Sequence, residues 1–192
     1  MKDIVKTALV LSIIALIAGL LLGGVNQFTY QSPEEKLNIN LNKAYENAGG
    51  YESLNVSDYT GDASNPAKMK GIYKAKDSGE DTVYIYATSV KAYKSGLELM
   101  IVVKNNKIIK ILVTASEETI AKPFGEANYA KYYNVDITSG SFKGFVTNKQ
   151  PAADGKTEIT VVTGATKSSN GICYSADLAV TYHKQLEGGA AV

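Results

Sequence analysis

The chain is poor in the residues from which most active sites are assembled. Among 192 residues there is one cysteine, Cys173, one histidine, His183, and no tryptophan. One cysteine excludes an internal disulfide, a multi-cysteine metal site and an iron–sulfur cluster. One imidazole excludes a histidine metal centre, and any nucleophile–histidine–acid arrangement would rest on His183 alone. That residue falls in a predicted C-terminal helix and reads as a surface or helix-end position. Cys173, in the same helix, reads as a small buried residue. A charge bias is lacking too: 20 basic and 19 acidic residues leave a net charge of +1. No electrostatic footprint for nucleic acid follows, and that class of partner is set aside.

What the sequence does have is one long apolar run. From Thr7 to Val25 it reads "TALVLSIIALIAGLLLGGV", without charge or proline. As a helix it is about 28 Å long, close to the hydrocarbon thickness of a bilayer. A cleaved signal peptide normally has a shorter apolar region, of about 7 to 15 residues, so a retained single-pass anchor is expected. No cysteine stands near its end to carry a lipid. Lys2 and Lys6 precede the run, whereas Glu34 and Glu35 outweigh Lys36 after it. The positive-inside rule then places the N-terminus in the cytoplasm and the rest in the periplasm or outside the cell. The expected organisation is residues 1–30 as cytoplasmic N-terminus and transmembrane anchor, 31–188 as one extracytoplasmic domain, and 189–192 as a tail. A chain of this length can bury one sizeable core.

Ser32-Pro33-Glu34-Glu35 is a helix start, with a hydroxyl cap, proline at the first helical position and two acids at the positive end of the dipole. Leu37, Leu41, Ala44 and Ala48 share a face, and Gly49-Gly50 is the expected stop. Residues 51–68 read as an irregular connection. Strand signals then dominate from Met69 to Thr114 and predict a four-stranded antiparallel meander, with a tight turn at Asn105-Asn106, where asparagine tolerates positive φ. The 13 tyrosines suit such strands. The apolar density of "LELMIVV" and of residues 107–113 predicts central strands covered on both faces, with helices at about 32–48 and 168–186 as the covers. A short helix is expected at 126–133, a turn at 151–155, and a strand "TEITVVT" over 157–163. The last helix places Ile172, Ala176, Ala179 and His183 on one stripe. The fold class is α+β, one mostly antiparallel sheet covered by helices, behind an N-terminal transmembrane helix.

The junction "TVVTGATKSSNGI", Thr160 to Ile172, is crowded with hydroxyls. A strand, a glycine turn and a helix N-terminus make an anion site, because the first-turn N–H groups are free and the dipole favours negative charge. Thr166, Ser168 or Ser169 could cap the helix, or one hydroxyl could itself carry a phosphoester.

"VVTGAT" followed by "KSS" resembles the [S/T]-G-A-T attachment motif of a family of FMN-binding domains. That family includes the RnfG component of the Rnf electron-transport complex and the NqrC component of the Na+-translocating NADH:quinone reductase. The resemblance implies FMN carried on Thr166 through a phosphoester set by a flavin transferase outside the membrane. Thr163, Gly164 and Ala165 would then serve recognition and cradle the phosphate, and Lys167 could neutralise its charge; Ser168 or Ser169 would be left to cap the helix. The segment "YKSGLELMIVVKNNKIIKILVTASEET" is similar to the family's glycine-rich stretch, hairpin and Glu-Thr element, which points to Gly96, Leu97, Glu118 and Thr119 near the flavin. Tyr93 reads as a packing residue. The sequence departs from the family pattern in "AYKSGL", in "EETIAKPFGE", and at Thr160, where an acid is usual.

By this resemblance the chain is an electron-carrier component of an ion-translocating ferredoxin:NAD oxidoreductase, an Rnf complex. It would carry one covalent FMN, no metal and no catalytic residue of its own. Its expected partners are the other Rnf components, the transferase during maturation, and the membrane. The NqrC component of the sodium-pumping reductase is the alternative, and its usual greater length favours Rnf. A pilin-like or binding protein without flavin is a third reading. The sequence lacks the prepilin signal that a pilin would carry, and a plain binding protein leaves "TGAT" unexplained.

Overall fold

The computed structural model describes residues 2–46, 48–59, 61, 63–76, 81–93, 96–116, 126–151 and 154–188. Two compact units emerge, residues 1–38 and 39–192. The first is dominated by α1, Lys2–Thr29. Its stretch Ile4–Gln27 is 24 residues of mean hydropathy 2.7 with no share buried, long and apolar enough to cross a membrane. Such a helix is consistent with a single-pass anchor, since water offers so apolar a surface no partner. The unit ends in the first turns of α2, Pro33–Ala44. There Ser32 Oγ accepts from Glu35 N at 3.1 Å, and Glu35 Oε2 accepts from Ser32 N at 2.8 Å. This reciprocal capping box satisfies two backbone donors, as the "SPEE" start requires.

The second unit is built on a five-stranded antiparallel sheet in the order β1-β2-β3-β4-β5. The strands are β1 Tyr51–Leu54, β2 Lys68–Ala75, β3 Val83–Lys91, β4 Gly96–Lys104 and β5 Lys107–Ala115. The last four are the expected meander. Asn105 and Asn106 both have positive φ, 48° and 63°, the conformation a two-residue hairpin matched to strand twist demands.

β1 corrects the expectation of an irregular connection over 51–68. Its four residues pair in register with β2, Tyr51 opposite Ala75 and Leu54 opposite Ile72. Gly49 and Gly50 extend that pairing: Gly49 N donates to Lys76 O at 3.0 Å, and Lys76 N to Gly50 O at 2.9 Å. They therefore begin a strand connection, and α2 stops earlier, at Ala44.

Register fixes the two faces of the sheet. Tyr86, Ile101 and Ile111 are cross-strand partners on one face, and Ile85, Val102 and Lys110 on the other. The first face lies under α4, Thr166–Leu186, whose Ile172, Ala176 and Ala179 join Tyr86, Leu99 and Ile101 in the main core. On the second face Ile85 and Val102 are buried as well. Lys110 donates from there to Lys43 O at 2.6 Å, which places the buried Leu41–Ala44 end of α2 on that side. Central strands covered on both faces are thus observed.

His183 is not a surface residue. It is 1% exposed, its Nδ1 2.7 Å from the Tyr86 hydroxyl and its Nε2 3.0 Å from Asn106 Oδ1. An amide oxygen only accepts, so Nε2 carries the proton and Nδ1 accepts from Tyr86. Burial pushes the imidazole down to about 4 and the Tyr86 phenol well up, so both stay neutral. The lone imidazole thereby ties α4 to the β4–β5 turn.

Two short strands, β6 Phe145–Thr147 and β7 Thr157–Ile159, form a separate parallel pair. The strand expected over 157–163 therefore ends at Ile159. Before β6 lies α3, Glu126–Tyr129, shorter than expected.

Candidate functional site

The hydroxyl-rich junction begins where β7 stops. Asn148 N donates to Ile159 O at 3.0 Å, and Asn148 Oδ1 accepts from Val161 N at 3.2 Å. One asparagine thus holds the segment at two points. Val162 N reaches Ser169 Oγ at 3.4 Å. Ala165 N then bonds back to Val162 O at 2.9 Å, closing a turn whose third residue, Gly164, has φ of +79°. A glycine is needed there because a Cβ opposes positive φ.

The chain enters α4 directly from this turn. Ala165 occupies the cap position with no side-chain bond, the first turn contains no acid, and Ser169 N makes the first helical bond, to Ala165 O at 2.9 Å. Ser168 and Ser169 therefore do not cap the helix. They lie inside its first turn, 1% and 5% exposed, because the helix starts two residues earlier than its polar sequence suggests. What remains outside is specific: Thr163, Gly164, Thr166 and Lys167 are exposed and Ala165 is buried. Thr166 is the first helical residue, and the N–H groups of Thr166, Lys167 and Ser168 precede the first closed turn. An exposed hydroxyl at an uncapped, acid-free helix start is electrostatically suited to a phosphate.

The β3–β4 connection flanks this helix start. A Cβ on Gly171 would meet Val90 Cγ1 at 3.1 Å and Leu97 Cδ2 at 3.6 Å, so α4 approaches the sheet closely one turn below Thr166. Leu97, 1% exposed, is core beneath that turn. Gly96 has open space where a Cβ would stand. Tyr93 is 56% exposed and does not pack in the core; Lys167 Nζ lies 5.7 Å from its ring centroid, a cation–π contact. Glu118 and Thr119 lie outside the described residues.

On the other side of the junction is an open cleft of about 350 Å3 between residues 159–163 and the Ala127, Asn128 and Lys131 side chains. This volume is at the lower end of small-molecule sites. Lys131 Nζ donates to Thr160 Oγ1 at 3.3 Å. The residue that departs from the family pattern therefore has a cationic partner, and an acid there would meet the same ammonium. Asn128 and Lys131 carry no motif of their own; only the fold brings them to Thr160.

Cys173 is buried as expected, and burial, aided by the charge of Asp177, pushes its thiol up to about 12. It stays protonated and unreactive. Among the described residues no group of three potential ligands could hold a metal ion.

Residues 93–181 match the FMN-binding domain family. An FMN-binding domain is present. No curated protein matches the chain. The matched region of the FMN-binding domain runs from the exposed Tyr93 through β4, β5 and the cleft into α4, and so contains every element of the junction. The residues present fit the cofactor: Thr166 offers an exposed oxygen, the helix start offers unbonded donors, and the cleft beside residues 159–163 leaves room. An FMN-binding domain implies a redox, electron-transfer role, and the hydride or single-electron chemistry belongs to the flavin when it is bound.

Proposed function

We propose that this chain is a membrane-anchored electron carrier with FMN esterified to Thr166, serving as the RnfG component of an Rnf-type complex that couples electron transfer between ferredoxin and NAD to translocation of Na+ or H+. The observation that carries the reading is the exposed Thr166 hydroxyl at the first position of an uncapped, acid-free helix, inside an FMN-binding domain. Residues 1–30 serve as cytoplasmic N-terminus and anchor, and residues 31–188 as the domain outside, where a covalent tether prevents loss of the flavin. The other Rnf components and a flavin transferase are the partners.

Within this reading each residue has a defined task. Gly164 lets the backbone turn, Ala165 leaves the helix end open, and Lys167 with the first-turn N–H groups holds the phosphate. Ester formation needs an activated phosphate, for which a flavin dinucleotide is the chemical class. Thr166 Oγ forms a bond to the flavin-side phosphorus, the anhydride P–O bond breaks, nucleoside monophosphate leaves, and the hydroxyl proton passes to solvent.

The test is expression of the full chain with a flavin transferase, followed by intact mass and in-gel flavin fluorescence on alkaline-washed membranes. Wild type is expected to gain one FMN ester and to stay with the membranes, and Thr166→Val to gain none. A fluorescent Thr166→Val band, or an unmodified wild type, would sink the attachment reading. Release of the protein by the wash would sink the anchor.

A further inference from the structure

The cleft beside the junction is not used by the attachment chemistry. One wall is the attachment segment itself, residues 159–163, and the other is α3 with the turn after it. Ala127, Ile159, Val161 and Val162 supply apolar surface, while Asn128, Thr160, Thr163 and Lys131 supply a few polar groups. Apolar and polar side chains are equally represented in that lining, so surface for a planar ring stands beside polar atoms able to orient it. A narrower crevice continues inward past Tyr129, Tyr132 and Ile172.

We propose that this cleft holds the isoalloxazine ring of the flavin tethered at Thr166, and that Lys131 raises the reduction potential of that ring; the proposal rests on the attachment reading above. The reach is sufficient. Thr163 lines the cleft and stands three residues from Thr166, a separation of at most about 11 Å even for an extended chain. The turn closed by Ala165 N and Val162 O shortens it further. A ribityl phosphate arm is of comparable length. The openness of the cleft leaves one edge of a bound ring toward solvent, where another protein could take its electrons.

Lys131 supplies the electrostatics. Its exposed ammonium stands at the cleft, donating to Thr160 Oγ1 at 3.3 Å. Reduction of the flavin by two electrons with uptake of one proton leaves the ring one unit more negative. A cation held nearby favours that state over the neutral oxidised one, so the potential rises. An acid at position 160 would neutralise Lys131; the threonine leaves its charge available.

The test uses the full chain carrying the ester, confirmed by mass, and reduced stepwise at pH 8 with dithionite against a redox dye. Lys131→Gln is expected to shift the midpoint to a more negative potential, and Lys131→Arg to restore it. Ala127→Phe fills the cleft from an exposed position, so quenching of flavin fluorescence by acrylamide should rise about twofold as the ring is displaced into water. Equal midpoints for wild type and Lys131→Gln overturn the electrostatic role. Unchanged quenching in Ala127→Phe overturns the placement of the ring. If wild type carries no ester, the attachment reading fails by itself, and titration of the full chain with free FMN decides the cleft: binding weakened about tenfold by Ala127→Phe supports the placement, and no difference overturns it.

Discussion

At the scale of single residues, the two rarest side chains differ in how far their positions could be read. Cys173 behaves as its helix position suggests. His183 does not, because the partners that bury it, Tyr86 and Asn106, are 97 and 77 positions away. Its neutral form is built into the fold, and a pH dependence follows. In the unfolded chain a histidine titrates near 6.5, whereas in the fold the imidazole is pushed down to about 4. Between those values the unfolded chain binds the extra proton, so stability is complete above about pH 6.5 and falls as pH drops toward 4. The loss attributable to this group is about 3 kcal/mol. Urea unfolding at pH 7 and pH 4.5 measures it, and His183→Gln should flatten that part of the profile. An equal slope in the variant would show that other groups carry it.

At the scale of elements, legibility follows length and local chemistry. The β2–β5 meander can be read because each strand is eight or nine residues long and the Asn105-Asn106 pair announces its turn. α1 and α4 are equally plain, from an uncharged apolar run and a buried stripe. β1 and β6 cannot be read, since three or four residues carry no periodicity and their pairing depends on partners elsewhere; β7 is read from its β-branched run but ends at Ile159. For the same reason the glycine turn into α4 is legible in "TGAT", whereas Lys131 and Asn148, which hold the segment, have no local signature. The start of α4 lies two residues before its expected place because serines favour caps, and here they are buried within the helix instead.

The short elements are nonetheless tightly specified. Gly144, just before β6, has φ of +112°, and a Cβ there would lie 2.6 Å from Asp177 Oδ1. That same oxygen accepts the Phe145 N–H at 2.5 Å. Gly144→Ala should therefore destabilise the domain by about 2 to 3 kcal/mol. Gly96→Ala enters open space and should stay within about 0.5 kcal/mol of wild type. Thermal unfolding of the two variants side by side checks the contrast; equal midpoints would mean that α4 shifts to relieve Gly144.

At the scale of the whole molecule, the segment that leads into α4 is held by distant parts of the chain. Residues 160–162 are fixed from three directions, by Lys131, by Asn148 and by Ser169, and the helix that follows is set by the close passage of Gly171 over Val90 and Leu97. None of these relations exists in an unfolded chain. On the attachment proposed above, the Thr166 hydroxyl is presented only after the sheet and α4 have met, and its ester would be a chemical timestamp of completed folding. In a pulse-labelled culture, gain of the flavin mass should lag behind acquisition of protease resistance; flavin on protease-sensitive chains would contradict this order. Cells that make such a carrier would then invest a cofactor only in molecules already able to use it.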